Sequence, residues 1–345
     1  MREEPFKDEF GAIMKIVGAA NRFLIVGHVD PDGDCVGSML AISLFLRSLG
    51  KDTRCYAPGE MPERFTRLPG AEAFAEREAL GGFDHQAIFV VDSPTVGRTE
   101  NLVRDDGGLP LVNIDHHPSN HLFGTVNVVD ERAAAASVIV FRFLETAAPR
   151  SIDPDIAGNL YLGILMDTGC FRFRNTNAEA MYAAGRLIEA GARAYDLTHE
   201  YFYMKNLQTL KLLAPVLESI AVHFGGRVAL MEITREMLEK TGGSFRDSEG
   251  FVDYGASIDD VELIALFREI GDGTVRVSLR SRNHHDVAAL AERHGGGGHA
   301  KAAGLVVEGT LGEAKKMILE GFERLIAEHD ASAREGGARG AGHDE

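Results

Sequence analysis

Apolar positions in the first half of the chain follow two periods, one typical of helices and one of buried strands. Apolar residues recur at helical spacing over 6–17, whereas continuous apolar runs at 23–27, 87–91 and 109–114 predict buried strands. The segment 36–49 is apolar nearly all round, which predicts a helix packed on a sheet. The remaining predictions are a short strand at 53–56 and helices at 133–144 and 177–190, with a further apolar element at 156–166. This succession predicts an α/β fold whose N-terminal domain is a doubly wound, mainly parallel sheet with flanking helices.

The second half has a different pattern, which predicts a smaller α/β domain. Strands are predicted at 219–224, 228–233, 261–267 and 274–279, and helices at 286–294 and 311–329. The segment Tyr201–Leu217 is either a helix or a linker, interrupted by Pro215. We therefore expect a first domain at 1–200, a linker at 201–219, a second domain at 220–330 and a disordered tail at 331–345.

Histidines and carboxylates gather where the predicted strands and helices end. The stretch 28–34, which follows the first strand, contains one histidine and three aspartates, and similar side chains follow the later apolar runs. In open α/β sheets the carboxyl ends of the strands meet at one edge, so we expect these side chains to lie together. Carboxylates so close repel one another, and a divalent cation is the simplest stabiliser. Taken alone, the stretch could also be an acidic turn shaped by Pro31 and Gly33.

Composition narrows the class of protein. The 345 residues are 45% hydrophobic with a mean hydropathy of −0.08, which is ordinary for a globular chain of two domains. A net charge of −16 disfavours binding to long duplex nucleic acid. The charged N-terminus, the absence of a long apolar run and three cysteines without paired spacing indicate a cytoplasmic protein with no membrane partner.

Five ordered motifs resemble those of the DHH phosphoesterase family and its associated C-terminal domain. H-V-D-P-D-G-D begins at His28, and it is followed by V-V-D-S at 90–93, D-H-H at 115–117 and M-D-T-G at 166–169. The C-terminal signature is V-S-L-R-S at 277–281, then G-G-G-G-H at 295–299 and A-A-G at 302–304. The match spans roughly residues 20–310, and the nearest subgroup is the nanoRNase and pAp-phosphatase type.

The resemblance implies two divalent metal ions, and the mixed imidazole and carboxylate set favours Mn²⁺. One ion would be held by His28, Asp32 and Asp92, and the other by Asp34, Asp92, His116 and Asp167, with Asp92 bridging. Two metals about 4 Å apart can activate a water and clamp a phosphoryl group. Asp115 is expected to orient a neighbouring ligand. His117 is expected to lie near the scissile phosphate as a stabiliser or proton donor, with simple packing as the alternative.

The C-terminal signature implies a substrate-binding region. Its candidate residues are Arg280, Ser281, Gly296, Gly297, Gly298 and His299. Glycines let backbone N–H groups approach an anion, and a helix starting after them would add the positive end of its dipole. A flexible glycine loop without a ligand is the alternative. Arg280 and His299 would bind the far phosphate or base of the substrate.

These expectations lead to a hydrolase that cleaves phosphoric ester bonds. Its substrates would be short oligoribonucleotides, including linear dinucleotides, released as mononucleotides, and pAp, converted to AMP. The alternatives are a cyclic-dinucleotide phosphodiesterase, a pyrophosphatase or polyphosphatase, and a nucleotide sensor without catalysis. The sequence leaves open the preferred substrate, the cleavage polarity, the metal used in the cell and the oligomeric state, a homodimer included.

Overall fold

The computed structural model describes residues 5–103, 107–271, 273–282 and 284–340, apart from the side chains of residues 299 and 332–340. Contacts divide the chain into a first compact unit that ends at Met204 and a second that begins at Lys205. Each unit contains its own sheet and its own hydrophobic core.

A five-stranded parallel sheet forms the centre of the first unit. Its strands are β1 (Arg22–Val26), β2 (Asp52–Tyr56), β3 (Ala87–Val91), β4 (Leu111–Asp115) and β5 (Val126–Val129). They lie in the order β2-β1-β3-β4-β5, and every neighbouring pair is parallel. The strand order therefore reverses between β1 and β3, as it does in doubly wound sheets. The predicted fold class is confirmed.

The first unit also contains seven α-helices among its described residues. They are α1 (Lys7–Ala19), α2 (Gly33–Ser48), α3 (Arg77–Leu80), α4 (Ala136–Ala147), α5 (Pro154–Asp167), α6 (Ala178–Glu189) and α7 (Ala194–Thr198). Of these, α1, α2 and α4 contact the sheet. Helix α2 is buried along most of its length and packs against α4 and α5. It begins where the Asp32 carboxylate accepts hydrogen bonds from the N–H groups of Asp34 and Cys35. The same cap fixes the start of α2 beside the end of β1.

The second unit is a mixed six-stranded sheet with helices. Its strands are β6 (Ala221–His223), β7 (Val228–Ile233), β8 (Leu263–Gly271), β9 (Thr274–Ser281), β10 (Gly297–His299) and β11 (Ala302–Glu308), in the order β10-β11-β9-β8-β7-β6. Only β7 and β8 are parallel among these described strands. The helices are α8 (Leu207–Glu218), α9 (Arg235–Thr241), α10 (Val252–Ala256), α11 (Val287–Glu292) and α12 (Leu311–Gly340).

Several elements differ from the sequence-based expectation. No helix follows the glycine run directly, because β10 and β11 form an antiparallel hairpin there instead. Helix α8 occupies most of the predicted linker and contains Pro215. Helix α12 extends into the predicted tail as far as Gly340, and 341–345 lie outside the described residues. Across the described part of the chain, the helices are too short or too polar to span a bilayer.

Candidate metal centre

Four chain segments bring histidines and carboxylates to the carboxyl edge of the parallel sheet. His28 lies two residues after β1, Asp92 directly follows β3, and His116 directly follows β4. Asp167 is the last residue of α5. Because β1 and β3 flank the point where the strand order reverses, the loops that follow them open a crevice between them. The sequence-predicted residues therefore converge at the position where α/β sheets usually bind ligands.

Asp92 lies between two groups of histidine nitrogens. Its Oδ2 lies 3.5 Å from Nε2 of His28, whereas its Oδ1 lies 3.4 Å from Nε2 of His116 and 3.6 Å from Nδ1 of His117. The residue is 2% exposed and has a left-handed backbone, with φ of 55°, which aspartate tolerates better than most residues. The two oxygens thus face different histidines, as those of a carboxylate that bridges two cations would.

A second group of ligand-type atoms surrounds His116. Its Nε2 lies 3.3 Å from Oδ2 of Asp167, and a carboxylate oxygen of Asp34 lies within 4.8 Å of both groups. Asp34 is fully buried, and its carboxylate accepts hydrogen bonds from the backbone N–H groups of Ala136 (2.6 Å) and Ser137 (2.9 Å). These N–H groups belong to the first turn of α4, where the helix dipole favours a negative charge. Asp34 is therefore fixed in place by the fold.

The pKa shifts within this cluster show that its negative charge is not balanced by positive charge. Burial raises the pKa of Asp34 to about 7, and the charge of Asp92 adds to this shift. Burial likewise raises the pKa of Asp167, with contributions from Asp34 and Asp92. For His116, burial alone would lower the pKa, but Asp92 and the other carboxylates raise it to about 10. Without a metal, protons on histidines and carboxylates supply the missing positive charge, so divalent cations would compete with those protons.

Two further observations fit a cation at this position. Oδ1 of Asp92 is buried, and no hydrogen-bond donor satisfies it among the residues that the structure describes. Nδ1 of His28 lies 2.8 Å from the carbonyl oxygen of Val29, which can only accept a hydrogen bond. Nδ1 also lies 3.1 Å from Nη2 of Arg98, and the other ring nitrogen, Nε2, faces Oδ2 of Asp92 at 3.5 Å. The residues present fit divalent metal ions.

Asp32 and Cys35 lie near the same cluster and make different contacts. Oδ1 of Asp32 caps α2 and lies 4.0 Å from Nε2 of His28, while half of the side chain is exposed. The Sγ atom of Cys35, in contrast, lies within 4.8 Å of ligand atoms of His28 and Asp92. Burial raises the pKa of the Cys35 thiol, so the group is neutral at pH 7 and is a poor ligand in that form.

Asp115 and His117 form a hydrogen-bonded pair beside the cluster. Oδ1 of the fully buried Asp115 lies 2.7 Å from Nδ1 of His117, and its Oδ2 accepts a hydrogen bond from Nδ2 of Asn120 at 2.6 Å. The carboxylate therefore orients the imidazole, leaving Nε2 of His117 as the ring atom not facing Asp115. The sequence analysis did not identify Asn120, because nothing in the local pattern marks an asparagine three residues after a histidine. It also missed Arg98, whose Nη2 lies 3.1 Å from Nδ1 of His28.

In the second unit, the predicted substrate residues lie at one end of the mixed sheet. The backbone register aligns His299 with Ala302 and Ala302 with Arg280 across β10, β11 and β9. The described part of the chain does not include the side chain of His299. The Ser281 hydroxyl donates a hydrogen bond to the carbonyl oxygen of His285 at 2.6 Å, so it also stabilises the local fold.

The glycines in β10 and directly before it differ in the reason for which a side chain is absent. A Cβ atom on Gly296 would overlap the carbonyl oxygen of Gly304, and one on Gly298 would crowd Ala302 and Ala303 of β11. Gly298 also has φ of 143°. These two positions need glycine because two backbones approach closely. Only the space above Gly297 is open among the three, since no atom lies within 4 Å of a Cβ built there.

Arg280 belongs to a group of arginines that the sequence analysis did not identify as a group. Arg276 and Arg280 both belong to β9, and Arg276 lies directly opposite Arg268 of the neighbouring strand β8. Arg268 donates hydrogen bonds to the hydroxyl groups of Ser248 and Ser278, each at 2.8 Å, and no carboxylate pairs with it within the described ranges. Burial and the charges of Arg276 and Arg280 lower the pKa of Arg268 to about 10. The three arginines thus concentrate positive charge in a chain of net charge −16, although Nε of Arg280 lies 3.8 Å from Oδ1 of Asp253.

Two family models match the chain in the order of its two units. Residues 22–164 match the model described as "DHH family, N-terminal domain", and residues 225–328 match the "DHHA1 domain". The first match includes the residues around Asp92, apart from Asp167, and the second includes the arginine group and the glycine hairpin.

Curated proteins and a solved structure resemble the chain over most of its length. The bifunctional oligoribonuclease and PAP phosphatase NrnA of Thermus thermophilus is 33% identical over 86% of this chain and 87% of that protein. The protein of the same name from Bacillus subtilis is 25% identical over 92% of this chain and 99% of that protein. The crystal structure of an exopolyphosphatase-related protein from Bacteroides fragilis superposes with a TM-score of 0.86, at 26% identity, and covers 92% of this chain and 96% of that one.

Proposed function

Since this chain belongs to the DHH family of phosphoesterases and carries the DHHA1 domain, we propose that it hydrolyses short oligoribonucleotides to mononucleotides and pAp to AMP. The observation that carries the proposal is the convergence of His28, Asp92, His116 and Asp167 around a buried carboxylate oxygen without a hydrogen bond. The relatives named as oligoribonuclease and PAP phosphatase support this choice of substrates.

Divalent metal ions, for which we propose Mn²⁺, would supply Lewis-acid activation of water and neutralisation of phosphoryl charge when bound. His28, Asp32 and Asp92 would hold one ion, and Asp34, Asp92, His116 and Asp167 would hold the other. Helix α4 fixes the carboxylate of Asp34 through two backbone N–H groups, so this oxygen donor is in place before substrate arrives.

His117 is the proposed stabiliser or proton donor at the scissile phosphate. Asp115 accepts the hydrogen bond from Nδ1 of His117, which fixes the tautomer and the orientation of the ring. The same contact increases the basicity of the ring and stabilises it when it is protonated. Asn120 in turn holds the second oxygen of Asp115, so the imidazole is anchored by two hydrogen bonds in series.

The second unit is proposed to bind phosphate groups of the substrate that are not cleaved. Arg280 would contact phosphate with a bidentate fork, and Arg268 and Arg276 strengthen the positive potential on the same sheet. Backbone at Gly297 is open to a ligand, whereas Gly296 and Gly298 serve the hairpin. Ser281 and His299 stay predicted substrate contacts, and a cytoplasmic location and a homodimer likewise stay predictions.

A side-by-side activity panel tests the proposal. The purified chain with Mn²⁺ is offered a linear RNA dinucleotide, pAp, a cyclic dinucleotide and pyrophosphate at equal concentrations. We expect the dinucleotide and pAp to be hydrolysed faster than pyrophosphate, and Asp92→Asn to lose both activities together. Pyrophosphate as the fastest substrate would overturn the proposal, and so would nucleotide binding without hydrolysis under any of Mn²⁺, Co²⁺ or Mg²⁺.

A further inference from the structure

The loop that follows α5 has an unusual backbone. Gly169, Cys170 and Phe171 are three consecutive residues in the left-handed region, with φ of 54°, 60° and 61°. Residues with a Cβ adopt this region at an energetic penalty, and two of the three carry one. The loop begins one residue after Asp167, the carboxylate nearest to His116. Strained backbone beside a functional carboxylate indicates that the conformation serves a purpose there.

Hydrogen bonds hold the loop in this conformation. Thr168 accepts bonds from the backbone N–H groups of Phe171, at its hydroxyl, and of Arg172 and Phe173, at its carbonyl oxygen, all between 2.9 and 3.1 Å. Nδ2 of Asn175 donates to the carbonyl oxygens of Asp167 and Ala134, each at 3.0 Å. The loop is therefore tied to the end of α5 and to the segment that leads into α4.

The two phenylalanines of the loop differ in their exposure to solvent. Phe171 packs against the hydrophobic core of the first unit, with its ring centroid 6.2 Å from that of Tyr161. Phe173 is 51% exposed, although its ring lies against Gly169, where a Cβ atom would overlap it. The absence of a Cβ on Gly169 thus lets the Phe173 ring approach this residue, which lies two positions after Asp167. About half of this aromatic side chain is therefore exposed, on a loop that directly follows Asp167.

Arginines flank the exposed ring. Arg172 and Arg174 are both exposed, and Nε of Arg172 donates to the carbonyl oxygen of Gly169 at 2.8 Å, which fixes the base of its guanidinium. Within the described part of the chain no carboxylate pairs with Arg172. An exposed aromatic ring beside arginines is the arrangement with which proteins stack a nucleobase and contact its phosphate.

We propose that Phe173 stacks on a base of the substrate and that Arg172 contacts the adjoining phosphate, so that this loop selects nucleotides over phosphate compounds without a base. The inference rests on the proposed function and deepens it. The loop after Asp167 would discriminate between substrates with and without a base, whereas the metal-binding residues would act on the phosphate itself. Stacking is tolerant of base identity, because every base has a π-face, so the loop should favour nucleotides without a strong sequence preference.

Kinetics on matched substrates test this assignment. The wild type is compared with Phe173→Ala on an RNA dinucleotide and on two analogues, each lacking one of the two bases. We expect Phe173→Ala to lower kcat/KM for the intact dinucleotide about tenfold, mainly through KM, which corresponds to about 1.4 kcal/mol. On the analogue that lacks the stacked base, the wild type should already be slower, and the substitution should change little. Phe173→Trp should restore the activity.

A matched control and a binding measurement separate stacking from structural damage. Leu49→Ala removes another exposed apolar side chain, at the far end of α2 about 24 Å from its start, and should leave every ratio unchanged. A dinucleotide with 2-aminopurine and a non-hydrolysable linkage should lose fluorescence on binding to the wild type and to Phe173→Trp, but not to Phe173→Ala.

Equal loss of kcat/KM on intact and base-free substrates would overturn the stacking assignment, and so would an unchanged kcat/KM for Phe173→Ala. Both results would leave the proposed hydrolase activity standing. If the wild type fails to hydrolyse any dinucleotide, the proposed function itself fails, and the fluorescence measurement alone then decides whether Phe173 stacks on a base.

Discussion

Replacing Asp115 with asparagine separates the group that orients His117 from the groups that would hold metal. The carboxylate of Asp115 accepts at both oxygens, from Nδ1 of His117 at 2.7 Å and from Nδ2 of Asn120 at 2.6 Å. Asparagine offers one acceptor and one donor in the same shape. If its oxygen stays with Asn120, its amide nitrogen faces Nδ1 of His117, which must then accept a hydrogen bond, and the ring hydrogen moves to Nε2.

The size of the effect follows from the burial of this pair. Asp115 is fully buried, so the lost interaction is a hydrogen bond to a charged group, about 1.5–3 kcal/mol. If that energy is expressed in the transition state, kcat falls by about 10- to 150-fold. The measured quantity is kcat for an RNA dinucleotide as a function of Mn²⁺ concentration. We expect a lower plateau with the half-saturating Mn²⁺ concentration within about twofold of the wild type, because a lost orienting contact acts on chemistry and leaves the metal ligands in place.

Two outcomes would refute this reasoning. Recovery of the wild-type plateau at high Mn²⁺ would show that Asp115 acts as a metal ligand, and an unchanged kcat would show that the contact to His117 is irrelevant to turnover. Asp130→Asn is the matched control, since Asp130 is another buried carboxylate, paired with Arg142 at 3.0 Å. It should lower stability and leave the kcat of the folded protein close to that of the wild type.

Three further predictions concern packing, pH and metal. Gly163→Ala would place a Cβ on the Ser137 hydroxyl and should destabilise the fold by about 1–3 kcal/mol in urea unfolding, whereas Gly158→Ala in the same helix, with no atom within 4 Å, should stabilise it by about 0.5–1 kcal/mol. Burial raises the pKa of Asp247, but its hydrogen bonds outweigh burial and lower the pKa to about 2. Asp247→Asn should therefore lose about 1 kcal/mol of folding stability at pH 7. The difference in stability from the wild type should vanish as the pH falls through about 2. Mn²⁺ at 100 times its Kd should stabilise the chain by about 2.7 kcal/mol per site, and a chelator or Asp92→Asn should abolish this gain. Equal effects of the two glycine variants, a pH-independent difference at Asp247, or an unchanged Tm with Mn²⁺ would contradict the respective prediction.

Much of the first unit follows from local patterns. The strands β1, β3 and β4 consist mainly of buried apolar residues, and each is followed within two residues by a histidine or aspartate at the carboxyl edge of the sheet. A parallel sheet makes residues from separate segments converge, which is why His28, Asp92 and His116 could be expected to lie together. The weakly patterned β5 was missed, because only Val128 of its four residues is fully buried.

The remaining features depend on contacts that no local pattern encodes. Asn120 belongs to the candidate site because its side chain contacts Asp115. The arginine group forms because the strand register sets Arg268 opposite Arg276. The hairpin of β10 also escaped prediction, because glycines that allow two backbones to approach are indistinguishable in sequence from glycines that approach a ligand. The capping of α2 by Asp32 becomes apparent only when the helix start is known, and its expected part as a metal ligand stays a prediction.

Anomalous diffraction from crystals soaked in Mn²⁺ would locate the ions. Two manganese peaks on either side of the Asp92 carboxylate, one near Nε2 of His28 and one near Nε2 of His116, are predicted. Peaks elsewhere, or no peak next to Asp92 at a Mn²⁺ concentration that supports hydrolysis, would contradict a two-metal centre at this edge of the sheet.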